Sequence, residues 1–237
     1  MKTLLLLILS FINVSLMASQ AIAGEPDSIP SHTAQISVLI KTAGSSDMPS
    51  AHLLQTALAG YELLVEGNSI TLPGVITIID FSLGSDEERL WVLDLNQGKV
   101  LFHCLVSHGR NSGEKMAENF SNIPGSYASS PGFYATGEAY IGKHGLSLAL
   151  DGLERGINDQ ARARAIVLHG ADYVSKDFIL THGRLGRSLG CPAVPVDLSD
   201  EIIKTIKGGS CLFIYAPQKS YISKSPIISK ISSKVKT

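Results

Sequence analysis

The stretch Ile166-Val167-Leu168-His169-Gly170, followed after a polar interval by Gly186-Arg187-Ser188-Leu189-Gly190-Cys191-Pro192-Ala193, decides how this chain is read. Residues 165–169 form a short apolar, β-branched run, the pattern of a buried strand that ends at His169. Cys191 lies among Gly, Ser and Pro, which are not the surroundings of a core thiol. A thiol nucleophile needs a base to make thiolate and a backbone that receives an oxyanion. His169, held at a strand end, is the candidate base. Its other ring nitrogen needs an orienting acceptor, and the Gly170 carbonyl offers one without a third side chain. Gly190 permits a sharp turn and close approach of an attacked carbonyl, with the amides of Gly190 and Cys191 turned to the oxyanion. Spacing alone is also compatible with a His and a Cys that never meet.

Working outward, the two other thiols have plain explanations. Cys104 falls in the apolar run 100–106 and Cys211 in the run 210–215, so both read as small core residues, with a disulfide between them left open. Residues 1–23 carry Lys2, a short apolar stretch and Ala21-Ile22-Ala23, the layout of a cleaved secretory signal. Export to a periplasm or cell wall is the expectation, with membrane contact only during export. The formal net charge of −1 hides an asymmetry, since 14 cations face 21 acids between residues 24 and 217. An acidic body does not suggest nucleic-acid binding. Residues 218–237 hold five lysines and no acid and read as a basic, disordered tail.

Residues 24–47 read as a linker. Residues 48–73 hold a helix with Leu53, Leu54, Ala57, Leu58, Tyr61, Leu64 and Val65 on one face and Gly67 at its end, suited to docking on the main domain. The domain itself spans 74–217. Strands are expected at 75–81, 90–95, 99–106, 165–169 and 212–215, with a turn at Asn96-Gln97-Gly98. The glycine-rich middle, 107–158, reads as loops and short strands, and 199–207 as a short helix. The sum is a β-rich α+β domain.

These residues, taken together, resemble the L,D-transpeptidase (YkuD-like) catalytic domain, and most closely its murein L,D-transpeptidase branch. The His-Gly at 169–170 and the Ser-x-Gly-Cys at 188–191 carry the resemblance. Asp80-Phe81-Ser82, Arg89-Leu90-Trp91-Val92, Ser107-His108-Gly109, Phe120-Ser121-Asn122, Gly142-Lys143-His144-Gly145 and Asp151-Gly152-Leu153-Glu154 extend it over most of the folded part. The resemblance implies a mixed β-sandwich with short helices and an N-terminal docking helix. It implies Cys191 as nucleophile, His169 as base oriented by the Gly170 carbonyl, and Gly190 and Ser188 shaping the acyl pocket. The implied substrate is a peptidoglycan stem peptide. Cys191 would attack the bond between its third and fourth residues, release D-Ala, and pass the acyl group to an amine on a neighbouring stem.

This chain departs from many members at Leu189, where they have His, and at Pro192-Ala193, where they have Arg or Asn. A cation for substrate carboxylates must then come from elsewhere, Arg187 and Arg184 being nearest, with His182 behind them. Asn122 either donates to substrate or closes a turn. His108 and His144 read as structural, while Tyr140 and Lys143 are candidates for a substrate wall. Neither H-E-x-x-H nor C-x-x-C occurs, so no metal or other cofactor is expected. The first rival keeps the acyl-enzyme but resolves it with water, as a carboxypeptidase or cross-link hydrolase. The second is a non-catalytic wall-binding protein.

Overall fold

The computed structural model describes residues 47–234. The expected signal and nearly all of the expected linker lie outside these residues. Helix α1 (Ala51–Glu66) begins where Ser50 accepts the Leu53 N–H at 3.3 Å, a side-chain cap on an otherwise orphan donor. Its buried face carries Leu53, Leu54, Ala57, Leu58, Tyr61 and Leu64.

Eight strands follow: β1 (Val75–Asp80), β2 (Glu88–Asp94), β3 (Lys99–Leu105), β4 (Gly132–Gly142), β5 (Gly145–Gly152), β6 (Val167–Gly170), β7 (Ala193–Val194) and β8 (Cys211–Tyr215). Helices α2 (Lys176–His182) and α3 (Val196–Ile206) sit between them, and α4 (Lys219–Lys224) and α5 (Pro226–Lys234) close the chain. The strands form one mixed sheet in the order β3-β2-β1-β8-β4-β5-β6-β7, with β1–β8 and β6–β7 parallel. The sheet curls until its ends meet. Just past β3, Ser107 bridges Ala193 of β7, its N–H donating to the Ala193 carbonyl at 2.8 Å.

Both faces of the sheet are covered, so the central strands are apolar throughout rather than alternating. Ile76, Ile78, Trp91, Leu93, Cys211 and Phe213 pack with α1. Ile79, Leu90, Val92, Leu212 and Ile214 face the other way, against Ile202, Ile203 and Ile206 of α3. Cys104 and Cys211 belong to opposite layers and are free thiols. Beneath the closure lies Arg89, fully buried. It donates to the carbonyls of Val106 and Leu83 and, at 2.8 Å, to His108 Nδ1. Burial pushes the Arg89 guanidinium down to about 9 and His108 down to about 4, so His108 is a neutral acceptor here.

Two expectations are corrected. The glycine-rich middle contains the longest strand pair, β4 and β5, joined by the two-residue turn Lys143-His144. Glycine there marks close approach rather than loop: a Cβ on Gly152 would lie 1.9 Å from the Asn158 carbonyl oxygen. Over its described residues the basic tail is also not a loose extension, because Lys219–Lys224 and Pro226–Lys234 are helical. Tyr221 and Ile227 bury in the α1 layer. The buried Glu154 accepts from Phe133 N–H at 2.8 Å, from Tyr221 O–H at 3.2 Å and from the Ser225 hydroxyl. The five lysines masked an apolar stripe set at helical spacing.

Two measurements follow from this packing. Burial holds the Glu154 carboxyl above its ordinary value of 4.5. The stability this adds is full below that value and is lost as pH rises through the folded value. Glu154→Gln should therefore lose its disadvantage in Tm against the parent on going from acid to neutral pH. Gly60, on the buried face of α1, sits so that a Cβ would lie 2.1 Å from Phe133 Cζ. Phe133 is itself stacked on Phe213 with ring centroids 4.1 Å apart. Gly60→Ala should lower stability in thermal unfolding, because overpacking by about 1–3 kcal/mol outweighs a helix-propensity gain of about 1 kcal/mol.

Candidate active site

Parallel pairing of β6 with β7 places His169 beside Ala193, two residues beyond Cys191. The turn carrying Cys191 is stitched on both sides. Ser188 N–H donates to the His108 carbonyl at 3.0 Å and Arg110 N–H to the Ser188 carbonyl at 2.8 Å. Ser129 Oγ donates to the Gly190 carbonyl at 3.1 Å. Gly190 adopts φ +122, and a Cβ there would meet the Ala128 carbonyl oxygen at 2.9 Å, so only glycine fits.

His169 and Cys191 line one cleft of about 510 Å³, shared with Tyr140, Lys143, His144 and Arg164. His169 Nδ1 donates to the Gly170 carbonyl at 2.9 Å, so Nε2 carries the lone pair. The His144 ring stacks on His169 with centroids 4.4 Å apart. Val167 N–H donates to Cys191 Sγ at 3.5 Å.

Burial pushes the Cys191 thiol up, opposed by the Val167 N–H and by the Arg164 and Lys143 charges. Burial pushes His169 down, opposed by its Gly170 hydrogen bond and assisted by the charges of His144 and Lys143. The resting state is a neutral thiol and a neutral imidazole lining one cleft. A preformed imidazolium–thiolate pair is not what this burial favours. The arrangement suits general-base transfer of the thiol proton as Sγ attacks.

The residues match the model of the L,D-transpeptidase catalytic domain over 46–215. The chain belongs to that family. Solved relatives include an L,D-transpeptidase from Mycobacterium smegmatis, 12% identical, with 60% of this chain and 59% of that chain covered and a TM-score of 0.38. An L,D-transpeptidase from Mycobacterium tuberculosis H37Rv is 12% identical, covering 61% and 58%, with a TM-score of 0.39. The helical cell shape determining protein of Campylobacter jejuni is 14% identical, covering 76% and 63%, with a TM-score of 0.42. This L,D-transpeptidase domain thus spans about three fifths of those proteins' length. A search of curated proteins finds no match.

The other expected site residues divide. The Gly170 carbonyl accepts from His169 Nδ1, whereas the Gly190 N–H is taken by Ser188 Oγ at 3.1 Å. It is therefore not an oxyanion donor. Ser188 lines the cleft and also donates to the Cys191 carbonyl at 2.6 Å, which braces the turn. Arg187 lines the cleft while pairing with Glu114 at 2.7 Å. His182 lies outside the cleft, at the end of α2, stacked on Phe178. Asn122 lies outside as well, bonded to Asp159 and to Gln160 N–H.

Arg164 was missed. Its guanidinium donates to the Ser121 and Ala128 carbonyls and to the Ser130 and Ser126 hydroxyls. It pins the loop that backs Gly190, with Nη2 3.3 Å from where a Gly190 Cβ would stand. Only the alternation Arg162-Ala163-Arg164 ahead of a strand hints at it, one arginine turning out to Asp151 and Glu138 and the other in. Among the described residues, no three His, Cys, Asp or Glu side chains gather to hold a metal ion.

Alkylation of Cys191 by iodoacetamide, followed by intact mass, should rise into the alkaline range past the ordinary thiol value of 9.0. Arg164→Gln should move that profile further up and slow it. A plateau of full reactivity at mildly acidic pH would instead reveal a resting ion pair.

Proposed function

We propose that this protein is an exported cysteine acyltransferase that remodels peptidoglycan by L,D-transpeptidation of stem peptides. One observation carries the reading: Cys191 and an imidazole whose Nδ1 is fixed on the Gly170 carbonyl line the same cleft of an L,D-transpeptidase domain. The leader at residues 1–23 supports export. Among the described residues, no helix is long and apolar enough to cross a membrane.

The chemistry runs as follows. Cys191 Sγ attacks the carbonyl of the third stem residue while His169 Nε2 takes the thiol proton. Negative charge collects on the carbonyl oxygen, and the Cys191 amide is the donor left in the turn once Ser188 has taken the Gly190 N–H. His169 returns the proton to the departing D-Ala amine, leaving a thioester. An amine of a second stem attacks the thioester, loses its proton to His169 and regenerates the thiol. Bond energy is kept in the thioester, so no nucleotide is consumed.

Purified protein given tetrapeptide stems and an amine acceptor should release D-Ala and form the joined product. Cys191→Ala should form none, and His169→Ala should be slower by about 10²–10⁴-fold. Tripeptide as the sole product, with and without acceptor, would assign hydrolysis instead. A carbapenem should add to the parent and not to Cys191→Ala; no adduct at all would sink the thiol chemistry.

A further inference from the structure

The cleft's charge is one-sided. Lys143, Arg164 and Arg187 line it together with His144 and His169, and no Asp or Glu does. This happens in a body where acids outnumber cations by 21 to 14. The three cations are not equivalent. Arg164 is spent on four loop acceptors. Arg187 is committed to Glu114 and to the carbonyls of Arg110 and Gly113. Lys143 forms no ion pair with any described residue.

Its position is fixed by the fold. Lys143 and His144 make the whole turn between β4 and β5, closed by the pairing of Gly142 with Gly145. The neighbouring His144 lies flat on His169, so the hairpin tip is tethered to the base. The lysine thus stands beside the reacting groups, near enough that its charge acts on both His169 and Cys191.

We propose that Lys143 is the specificity-determining anchor for a carboxylate on the acyl donor, so that the cleft takes peptide acids in preference to their amides. This rests on the acyl-transfer reading above for the identity of the donor, but not for the anion site itself. An ammonium on a short turn is a compact point charge on a flexible stem. It can meet a carboxylate without demanding bidentate geometry, and it gains no ion-pair energy from a neutral amide at the same place.

Two readouts on the full chain separate the anion site from the reaction. The first is Cys191 alkylation by iodoacetate, an anion, against iodoacetamide, its neutral analogue, at one pH and low salt. Lys143→Gln should cut the iodoacetate-to-iodoacetamide rate ratio about fivefold, added salt should cut the parent's ratio in the same direction, and Lys143→Arg should restore it. Lys204→Gln, which removes a lysine on α3 paired with Asp200, should leave the ratio alone. A ratio unmoved by Lys143→Gln, or moved equally by Lys204→Gln, overturns the proposal. The second readout compares tetrapeptide stems with free and with amidated side carboxylates. Lys143→Gln should lower the acid-over-amide selectivity in kcat/KM about tenfold, through KM. Equal losses on both stems would mark Lys143 as merely structural and overturn the proposal. If neither stem turns over in the parent while the alkylation ratio behaves as expected, the acyl-transfer reading fails and the anion site stands.

Discussion

The closure of the sheet at Ser107 and Ala193 is the constraint on which the site depends. β7 is only two residues long, too short to hold itself in register. It is held because β6 pairs with it on one side and the segment after β3 reaches it on the other. The same segment bonds to Ser188 through His108 and Arg110, so the turn carrying Cys191 is suspended between the two ends of the sheet. Arg89 sits under that junction with its donors on Val106, Leu83 and His108. Burying a guanidinium is costly, and here the return is a junction that cannot slide: a shift would strand its N–H groups among apolar neighbours. Neutral His108 completes the arrangement by accepting from Arg89 at Nδ1, leaving its Nε2 toward the Gly113 carbonyl.

Much of this was legible in residues 166–193. The β-branched run fixed a buried strand, its last residue fixed the histidine, and the Gly-Cys-Pro turn fixed the thiol. The core helix α1 was legible from its period, and so was α3, which starts three residues earlier than expected because Pro195 precedes a helix-compatible Val196. The β4–β5 hairpin was not. Its glycines at 137, 142 and 152 read as loop, whereas they answer to neighbours that a Cβ would strike. The C-terminal helices were concealed by charge: five lysines outweighed Tyr221, Ile227 and Ile228 in the reading, and the partner that makes those side chains useful, Glu154, is far away in sequence.

The site residues divide along the same line. Cys191, His169, Gly170 and Gly190 are local in their logic, so short motifs reveal them. Arg164 acts only because residues 121–130 fold back across it, and no spacing encodes that. His182 and Asn122 attract attention by residue type, yet each is satisfied by near neighbours, Phe178 for one and Asp159 for the other. Leu189 is half exposed at the cleft mouth. It gives the entrance an apolar lip.

Oxidants attack thiolate far faster than thiol, and the first product, sulfenic acid, is a step toward irreversible loss. Cys191 rests protonated, because burial outweighs the charges around it. On the proposed acyl-transfer mechanism, the anion forms only when a carbonyl is present to receive it and His169 to hold the proton. That thiol therefore spends its idle time in its least oxidisable form, and the two remaining thiols are buried in opposite layers of the sheet. Chemical durability between turnovers is a property of the same burial that makes the resting thiol unreactive.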